Sequence, residues 1–115
     1  MNWEPRSKYN NRKTAGFDSK REFHHWQRLE ALKGATDDHD RVVSIVRQKR
    51  FELIPSQRDS NGKSLERPCH YVADFLVTFA DGRTEVHDAK GMRTPEYVIK
   101  RKLMLFIHGI AIKEV

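Results

Sequence analysis

The stretch from Tyr71 to Lys90, YVADFLVTFADGRTEVHDAK, predicts the centre of the fold. Two runs with strand composition flank residues 80–83, and the Asp-Gly pair inside this turn is a strong signal for a β-hairpin. Asp74 interrupts the first run, and Asp88 and Lys90 close the second. Because aspartate is disfavoured in strands and is rarely buried unpaired, these charges require an explanation.

The alternation of side chains along a strand supplies part of that explanation. Asp88 and Lys90 share one face of their strand, and Asp74 shares a face with Leu76. A register that joins these two faces makes the three charged side chains converge. Two carboxylates suit a hard divalent cation such as Mg²⁺, and a lysine beside them suits the negative charge that develops on a phosphate. The alternative is an Asp–Lys ion pair on a solvated face, and spacing alone leaves both interpretations open.

Length and charge restrict the class of protein. The 115 residues are enough for one domain with a modest core, and the formal net charge of +6 favours an acidic partner, most simply nucleic acid. Cys69 is the single cysteine, so the chain can form no internal disulfide, which suits a reducing cytoplasm. No run approaches the roughly 18 apolar residues of a membrane span, so we expect no membrane partner.

The first sixteen residues are polar and basic and show no periodicity. One interpretation is a frayed terminus. The other is a basic arm in which lysine and arginine contact phosphates while Trp3 and Tyr9 stack on bases.

Residues 17–33 have an apolar stripe with helical spacing. Ser19 is a candidate N-cap, and Glu22 follows at the spacing of a capping box. Glu22 therefore has two possible roles, as a cap of the backbone or as a third carboxylate at the predicted metal site. Residue physics alone favours the cap.

The remaining segments complete the predicted order. Residues 41–54 read as a strand with a polar break, so a bent strand or a strand after a helical turn is expected. Residues 55–68 form a polar loop with Asn-Gly at its tip, which favours a tight turn. Thr94 and Pro95 mark the start of a second helix that ends at Gly109, and residues 110–115 read as a last strand. The order is α-β-β-β-α-β, in an α/β class with a mixed α+β sheet.

This order and its charged residues resemble the PD-(D/E)XK nuclease superfamily. Asp74 together with Asp88-Ala89-Lys90 resembles the D…(D/E)-x-K signature, with Ala73 in place of the proline that names the motif. The chain is also similar to a family of small, mostly phage-encoded proteins of unknown function placed in that superfamily. The stretches that carry this likeness are Lys8-Tyr9, Phe17–Glu22, Gln48–Leu53, Tyr71–Phe75 and Asp88–Gly91, followed by Thr94, Tyr97, Lys100 and Lys102.

The resemblance implies a restriction-endonuclease-like core in residues 17–115, preceded by a basic arm in residues 1–16. It implies that Asp74, Asp88 and Glu22 bind Mg²⁺ or Mn²⁺ and that Lys90 acts with them in catalysis. It also places nucleic-acid contacts at Lys8, Tyr9, Arg12, Lys13, Gln48, Arg93, Thr94, Tyr97, Lys100 and Lys102.

The resemblance further implies a DNA endonuclease in the cytoplasm, that of a bacterial host if the protein is phage-encoded. Size and element order are similar to those of Holliday-junction resolvases, so branched DNA is the expected substrate and a homodimer the expected form. His87 stands where the closest relatives are expected to be acidic, and we expect it on the face opposite Asp88. Two rivals stay open, namely a nucleic-acid-binding module without catalysis and a small interaction protein whose charges are merely solvated.

Overall fold

The structure is a computed structural model that describes residues 16–115. This part of the chain is a mixed α+β fold with two α-helices and a mixed sheet. Its elements are α1 (Lys20–Ala31), β1 (Val42–Ile54), β2 (Gln57–Arg58), β3 (Ser64–Glu66), β4 (Cys69–Phe79), β5 (Thr84–Asp88), α2 (Pro95–Leu103) and β6 (Lys113–Glu114). A short 3₁₀ turn, Leu32–Gly34, follows α1, and a π-helical turn, Met104–His108, follows α2.

The main sheet has the strand order β1-β4-β5-β6. The first three strands are antiparallel, and β6 runs parallel to β5, so α2 is the crossover between two parallel strands. The predicted hairpin is therefore the β4–β5 pair. Its turn holds Gly82 at φ +91°, where a side chain would be strained, and the Asp81 carboxylate accepts a hydrogen bond from the Arg83 amide at 3.0 Å.

The two helices pack on opposite faces of the sheet. Neighbouring β4 residues Phe75 and Leu76 point to opposite faces, and they belong to different apolar clusters. The first cluster lies under α1 and has the buried members Phe17, Leu29, Val42, Phe75, Val77 and Phe79. The second lies under α2 and has the buried members Leu53, Tyr71, Ala73, Val86, Tyr97 and Met104.

Along the paired strands β1 and β4, the apolar cluster in which the side chains pack changes at Asp74. Along β4, Phe75 packs in the first cluster but Ala73 packs in the second. Across the ladder these residues pair with Arg47 and Lys49, which places Gln48 opposite Asp74. Gln48 has φ +54°, a left-handed backbone that is uncommon for residues other than glycine. The polar break predicted in this strand is thus a local distortion of one continuous strand, the bent alternative.

The predicted helix ends agree with the structure. Ser19 Oγ accepts from the Glu22 amide, and Thr94 Oγ1 accepts from the Tyr97 amide, each at 3.1 Å. Gly109 ends the π-helical turn at φ +68°. The last strand is shorter than predicted, since only two of residues 110–115 pair with β5. No helix within residues 16–115 is long and apolar enough to cross a membrane.

Candidate metal and nucleic-acid site

Two carboxyl groups meet where β4 and β5 run side by side. Leu76 pairs with Val86, so the next residues on the same faces, Asp74 and Asp88, lie next to each other. The two carboxyl groups lie close enough to share a proton through a hydrogen bond when one of them is protonated, and Asp74 Oδ2 also accepts from the Ala89 amide at 2.9 Å. Burial, followed by the hydrogen bond with Asp88, raises the pKa of Asp74 to about 8. In the absence of a cation, the pair therefore holds a proton at neutral pH.

Tyr71 holds the Asp88 carboxylate from the opposite side. Its phenol donates a short hydrogen bond to Asp88 Oδ2, and both residues are about 3 % exposed. Burial and this hydrogen bond raise the pKa of Tyr71 well above its usual value, so the phenol stays a donor. The Asp88 carbonyl also accepts from the Val115 amide at 2.9 Å, which ties the backbone here to the C-terminal strand.

Lys90 lies beside the carboxyl pair, and its side chain is partly exposed to solvent. Its Nζ is 3.7 Å from Asp88 Oδ2 and 4.2 Å from the centre of the Tyr97 ring. Asp88 is buried, so this pair is not the solvated ion pair that the sequence left open. A lysine held by a carboxylate and an aromatic face keeps its charge at a fixed place.

Glu22 approaches the same place from α1. Its carboxylate is buried and accepts from Gln48 Nε2 at 3.3 Å, while the Arg47 guanidinium lies 3.8 Å away. Burial is the main cause that raises the pKa of Glu22, with Asp18 and Asp88 adding to it. Glu22 is therefore not only a residue of the first helical turn after the N-cap, because its side chain faces the interior near the carboxyl pair. The distorted backbone at Gln48 accompanies this contact.

A cleft of about 280 Å³ opens next to Lys90. Three residues that the sequence assigned to nucleic acid, Thr94, Tyr97 and Lys100, line it together with Lys90. Its other lining residues are His70, Tyr71, Val72 and Glu96. The described structure thus places most of the predicted α2 contacts and the predicted catalytic lysine around one opening.

The other predicted contacts lie elsewhere. Arg93 is 2.6 Å from Glu114, which also accepts from the Tyr97 phenol at 2.8 Å and from Arg101 at 3.2 Å. These donors lower the pKa of Glu114 to about 2. Lys102 is exposed on α2 and does not line the cleft. The predicted contacts Lys8, Tyr9, Arg12 and Lys13 lie outside the described residues.

His87 lies on the face opposite Asp88, as predicted, and packs under α1. Its Nε2 donates to Glu85 at 2.8 Å, so its Nδ1 is left to accept from His25 Nε2, also at 2.8 Å. His25 Nδ1 is then a buried acceptor without a hydrogen-bond partner among residues 16–115. Burial, followed by electrostatic interactions with His87, Arg28 and Lys113, lowers the pKa of His25 to about 4. This neutral pair fastens α1 to β5 one helical turn after Glu22.

Sequence reasoning missed two residues of this region. Tyr71 had a usable signal, since a buried tyrosine normally finds a partner for its hydroxyl. Glu114 had none, because its three donors, one just before α2 and two within it, lie 13 to 21 residues earlier in the chain.

The donor set fits a hard cation. Asp74 and Asp88 offer oxygen ligands, and burial together with Asp88 raises the pKa of Asp74, so a positive charge placed between the two groups would favour the form in which both are ionised. Glu22 is electrostatically coupled to both. Even so, residues 16–115 contain no group of three or more His, Cys, Asp or Glu side chains placed to hold a metal ion.

The fold and this site define a small α+β protein with a carboxyl pair, one member buried and one partly buried, beside a lysine-lined cleft. The chain belongs to the family described as "Protein of unknown function (DUF1064)", whose model matches residues 6–109. No curated protein and no solved structure matches the chain.

Proposed function

We propose that this protein is a metal-dependent endonuclease that hydrolyses phosphodiester bonds of DNA. The observation that carries the proposal is the pair formed by the partly buried Asp74 and the buried Asp88, with the Lys90 ammonium 3.7 Å from Asp88. A carboxyl pair formed by Asp74 in the middle of β4 and Asp88 at the end of β5, with a lysine just after β5, agrees with the resemblance to the PD-(D/E)XK superfamily, and with it to a restriction-endonuclease-like core.

Asp74 and Asp88 would hold the cation, Mg²⁺ or Mn²⁺, and Glu22 would join them after releasing Gln48. When bound, the cation supplies Lewis acidity and lowers the pKa of a coordinated water. Lys90 then places a fixed positive charge beside the phosphate, where the transition state gathers negative charge. Tyr71 orients the Asp88 carboxylate throughout.

The substrate assignment rests on charge and on the resemblance. The net charge of +6 and the lysines of the cleft favour a polyanion. Thr94, Tyr97 and Lys100 are proposed to contact DNA directly. Branched DNA such as a Holliday junction, a homodimer with two sites, a phage origin and the cytoplasm of a bacterial host follow from the likeness to resolvases, an analogy at the level of fold.

A second candidate is a nucleic-acid-binding module that performs no chemistry. It is favoured by one observation, namely that the described residues hold no preformed group of three metal ligands. In this alternative the protonated carboxyl pair and Lys90 serve the structure, and the cleft alone contacts DNA.

A gel cleavage assay separates the two candidates. Purified protein is incubated with Mg²⁺ or Mn²⁺ and with matched four-way junction, duplex and single-stranded DNA, with Asp88→Asn as the test variant and Asp40→Asn, an exposed loop substitution, as the control. We expect metal-dependent cleavage that Asp88→Asn abolishes and Asp40→Asn preserves. Paired symmetric nicks in the junction support a resolvase, whereas cleavage of the other DNAs alone supports a nuclease of different specificity. If no substrate is cut while DNA is bound, the binding module is correct.

A further inference from the structure

One side chain that lines the cleft beside Lys90, the ammonium group of Lys100, has a weakly bound carboxylate partner that another anion can replace. Lys100 Nζ lies 3.3 Å from Glu96 Oε1, one helical turn earlier, and the Glu96 side chain is 77 % exposed. An exposed pair of this kind is worth only a few tenths of a kcal/mol. The Lys100 side chain is 28 % exposed and lines the cleft, so another anion can reach it.

The neighbouring guanidinium groups differ in this respect. Arg93 and Arg101 both bind Glu114, whose side chain is 18 % exposed and which also holds the Tyr97 phenol. Both guanidinium groups are bound to the Glu114 carboxylate, which accepts from three donors in all. Lys100 can therefore be recruited by an incoming phosphate without breaking this network, unlike Arg93 and Arg101. Lys102 of α2 is also exposed, but it does not line the cleft.

The size and position of the cleft restrict which ligands it can bind. Its volume of about 280 Å³ lies at the lower end of the range for small-molecule sites, which suits one phosphate with its sugar and is too small for a duplex. Lys90 lines it on one side and reaches Asp88 at 3.7 Å on the other, so the cleft continues directly from the carboxyl pair.

We propose that this cleft is a subsite for the DNA phosphate next to the one at the carboxyl pair, with Lys100 as its contact and Glu96 as the counter-ion that the phosphate displaces. The assignment rests on the proposed function in one respect, because the DNA strand must pass Lys90. Glu96 then acts as a built-in competitor that lowers the affinity for DNA. The charge-assisted hydrogen bond to phosphate replaces a weak surface pair.

The test is a binding experiment without metal, so that no cleavage is involved. Fluorescence anisotropy with a labelled duplex oligonucleotide in EDTA is recorded over a series of salt concentrations for the wild type, Lys100→Gln, Glu96→Gln and the double variant. Lys100→Gln should reduce the magnitude of the log–log salt slope by about 0.9, the value for one lost phosphate contact. Glu96→Gln should tighten binding roughly threefold, as expected from loss of the surface pair that competes for Lys100 and of the repulsion between Glu96 and the phosphate. The part of the gain that depends on the pair should be absent in the Lys100→Gln background, so Glu96→Gln should tighten binding less there.

A matched pair elsewhere on the protein controls for net charge. Lys33 and Glu30 form an exposed pair at 2.7 Å near the end of α1 and do not line the cleft. Glu30→Gln and Lys33→Gln make the same charge changes and should leave the slope and the coupling unchanged. The proposal is overturned if Glu30→Gln tightens binding as much as Glu96→Gln, or if Lys100→Gln leaves the slope unaltered.

The outcomes separate the subsite from the enzyme activity. Binding that follows the expected pattern in a protein that never cuts DNA supports the subsite and overturns the nuclease. Cleavage by a protein whose binding ignores Lys100 and Glu96 overturns the subsite alone.

Discussion

Replacing Asp74 by asparagine should stabilise the protein at pH 8 while removing its proposed activity. The pKa of this carboxyl is raised from 3.8 to about 8 in the folded protein. The native state therefore binds the proton more tightly than the unfolded chain, and the resulting stability is present at low pH and lost as the pH rises from about 4 to about 8. Asparagine keeps a neutral side chain of the same shape at every pH, so it escapes this loss.

The size of the effect follows from the shift. A difference of about four pH units corresponds to about 6 kcal/mol at about 1.4 kcal/mol per unit. Asp88 shares the proton, and its own charge is relieved in part in the variant, so we expect a gain of about 2–4 kcal/mol in the free energy of unfolding at pH 8. At pH 4 the wild type is protonated already, and the two proteins should be equally stable.

Urea denaturation at pH 4, 6 and 8 in EDTA, followed by circular dichroism, measures this difference. Asp40→Asn, on an exposed loop, should show no such pH-dependent gain. Added Mg²⁺ should narrow the difference at pH 8, because the carboxylates of the wild type bind it. A variant that is no more stable than the wild type at pH 8, or equally stabilised at pH 4, would refute the argument that the buried pair destabilises the fold.

Four further predictions test other parts of the site. Lys90→Ala should lower kcat roughly 100-fold in the cleavage assay but change metal affinity little by calorimetry, and a loss of metal affinity instead would contradict its role beside the phosphate. The Tyr71→Phe variant should still fold, but its free energy of unfolding should be about 1–2 kcal/mol lower because Asp88 loses a hydrogen-bond donor, and its kcat should also be lower. Unchanged values would show that this hydrogen bond does not position the Asp88 carboxylate. Between pH 6.5 and 4 the wild type should lose up to about 3 kcal/mol of stability relative to His25→Gln in urea melts, because the pKa of buried His25 is lowered to about 4 and the unfolded chain binds the proton first; protonation of Asp74 stabilises both proteins alike over this range. The same pH dependence in both proteins would exclude His25 as a contributor. Deleting residues 1–15 should flatten the salt slope of DNA binding by about 0.9 for each lost phosphate contact, and an unchanged slope would identify these residues as a frayed end.

Local chemistry explains why the ends of the elements were predictable. Ser19 and Thr94 cap helices through their own hydroxyl groups, and Gly82 and Gly109 occupy left-handed positions that few other residues accept. Each of these signals acts within four residues of chain. The approach of Asp74 to Asp88 was also predictable, since hairpin register and alternation place them on one face.

Contacts over long stretches of chain account for what the sequence did not disclose. The ties of Arg93 and Arg101 to Glu114 join α2 to a strand of two residues, and neither composition nor spacing marks that partner. Gln48, which has the left-handed backbone, contacts a buried Glu22 that belongs to another element. The role of Glu22 was open for the same reason, because a capping-box glutamate and a buried carboxylate have the same sequence pattern.

Departures from the rules of stable folding are concentrated at one level of the sheet. Gln48 has a strained backbone, Asp74 lies across from it, and Asp88 and Glu22 are buried carboxyl groups within electrostatic reach. Each of these features costs free energy in the isolated protein, and a sequence selected for stability alone would replace them with apolar residues. Binding of a cation by the ionised carboxylates, with a phosphate at Lys90, would offset that cost at the same place. The clustering of unfavourable features beside an open, lysine-lined cleft is therefore better explained by ligand binding than by the needs of the fold.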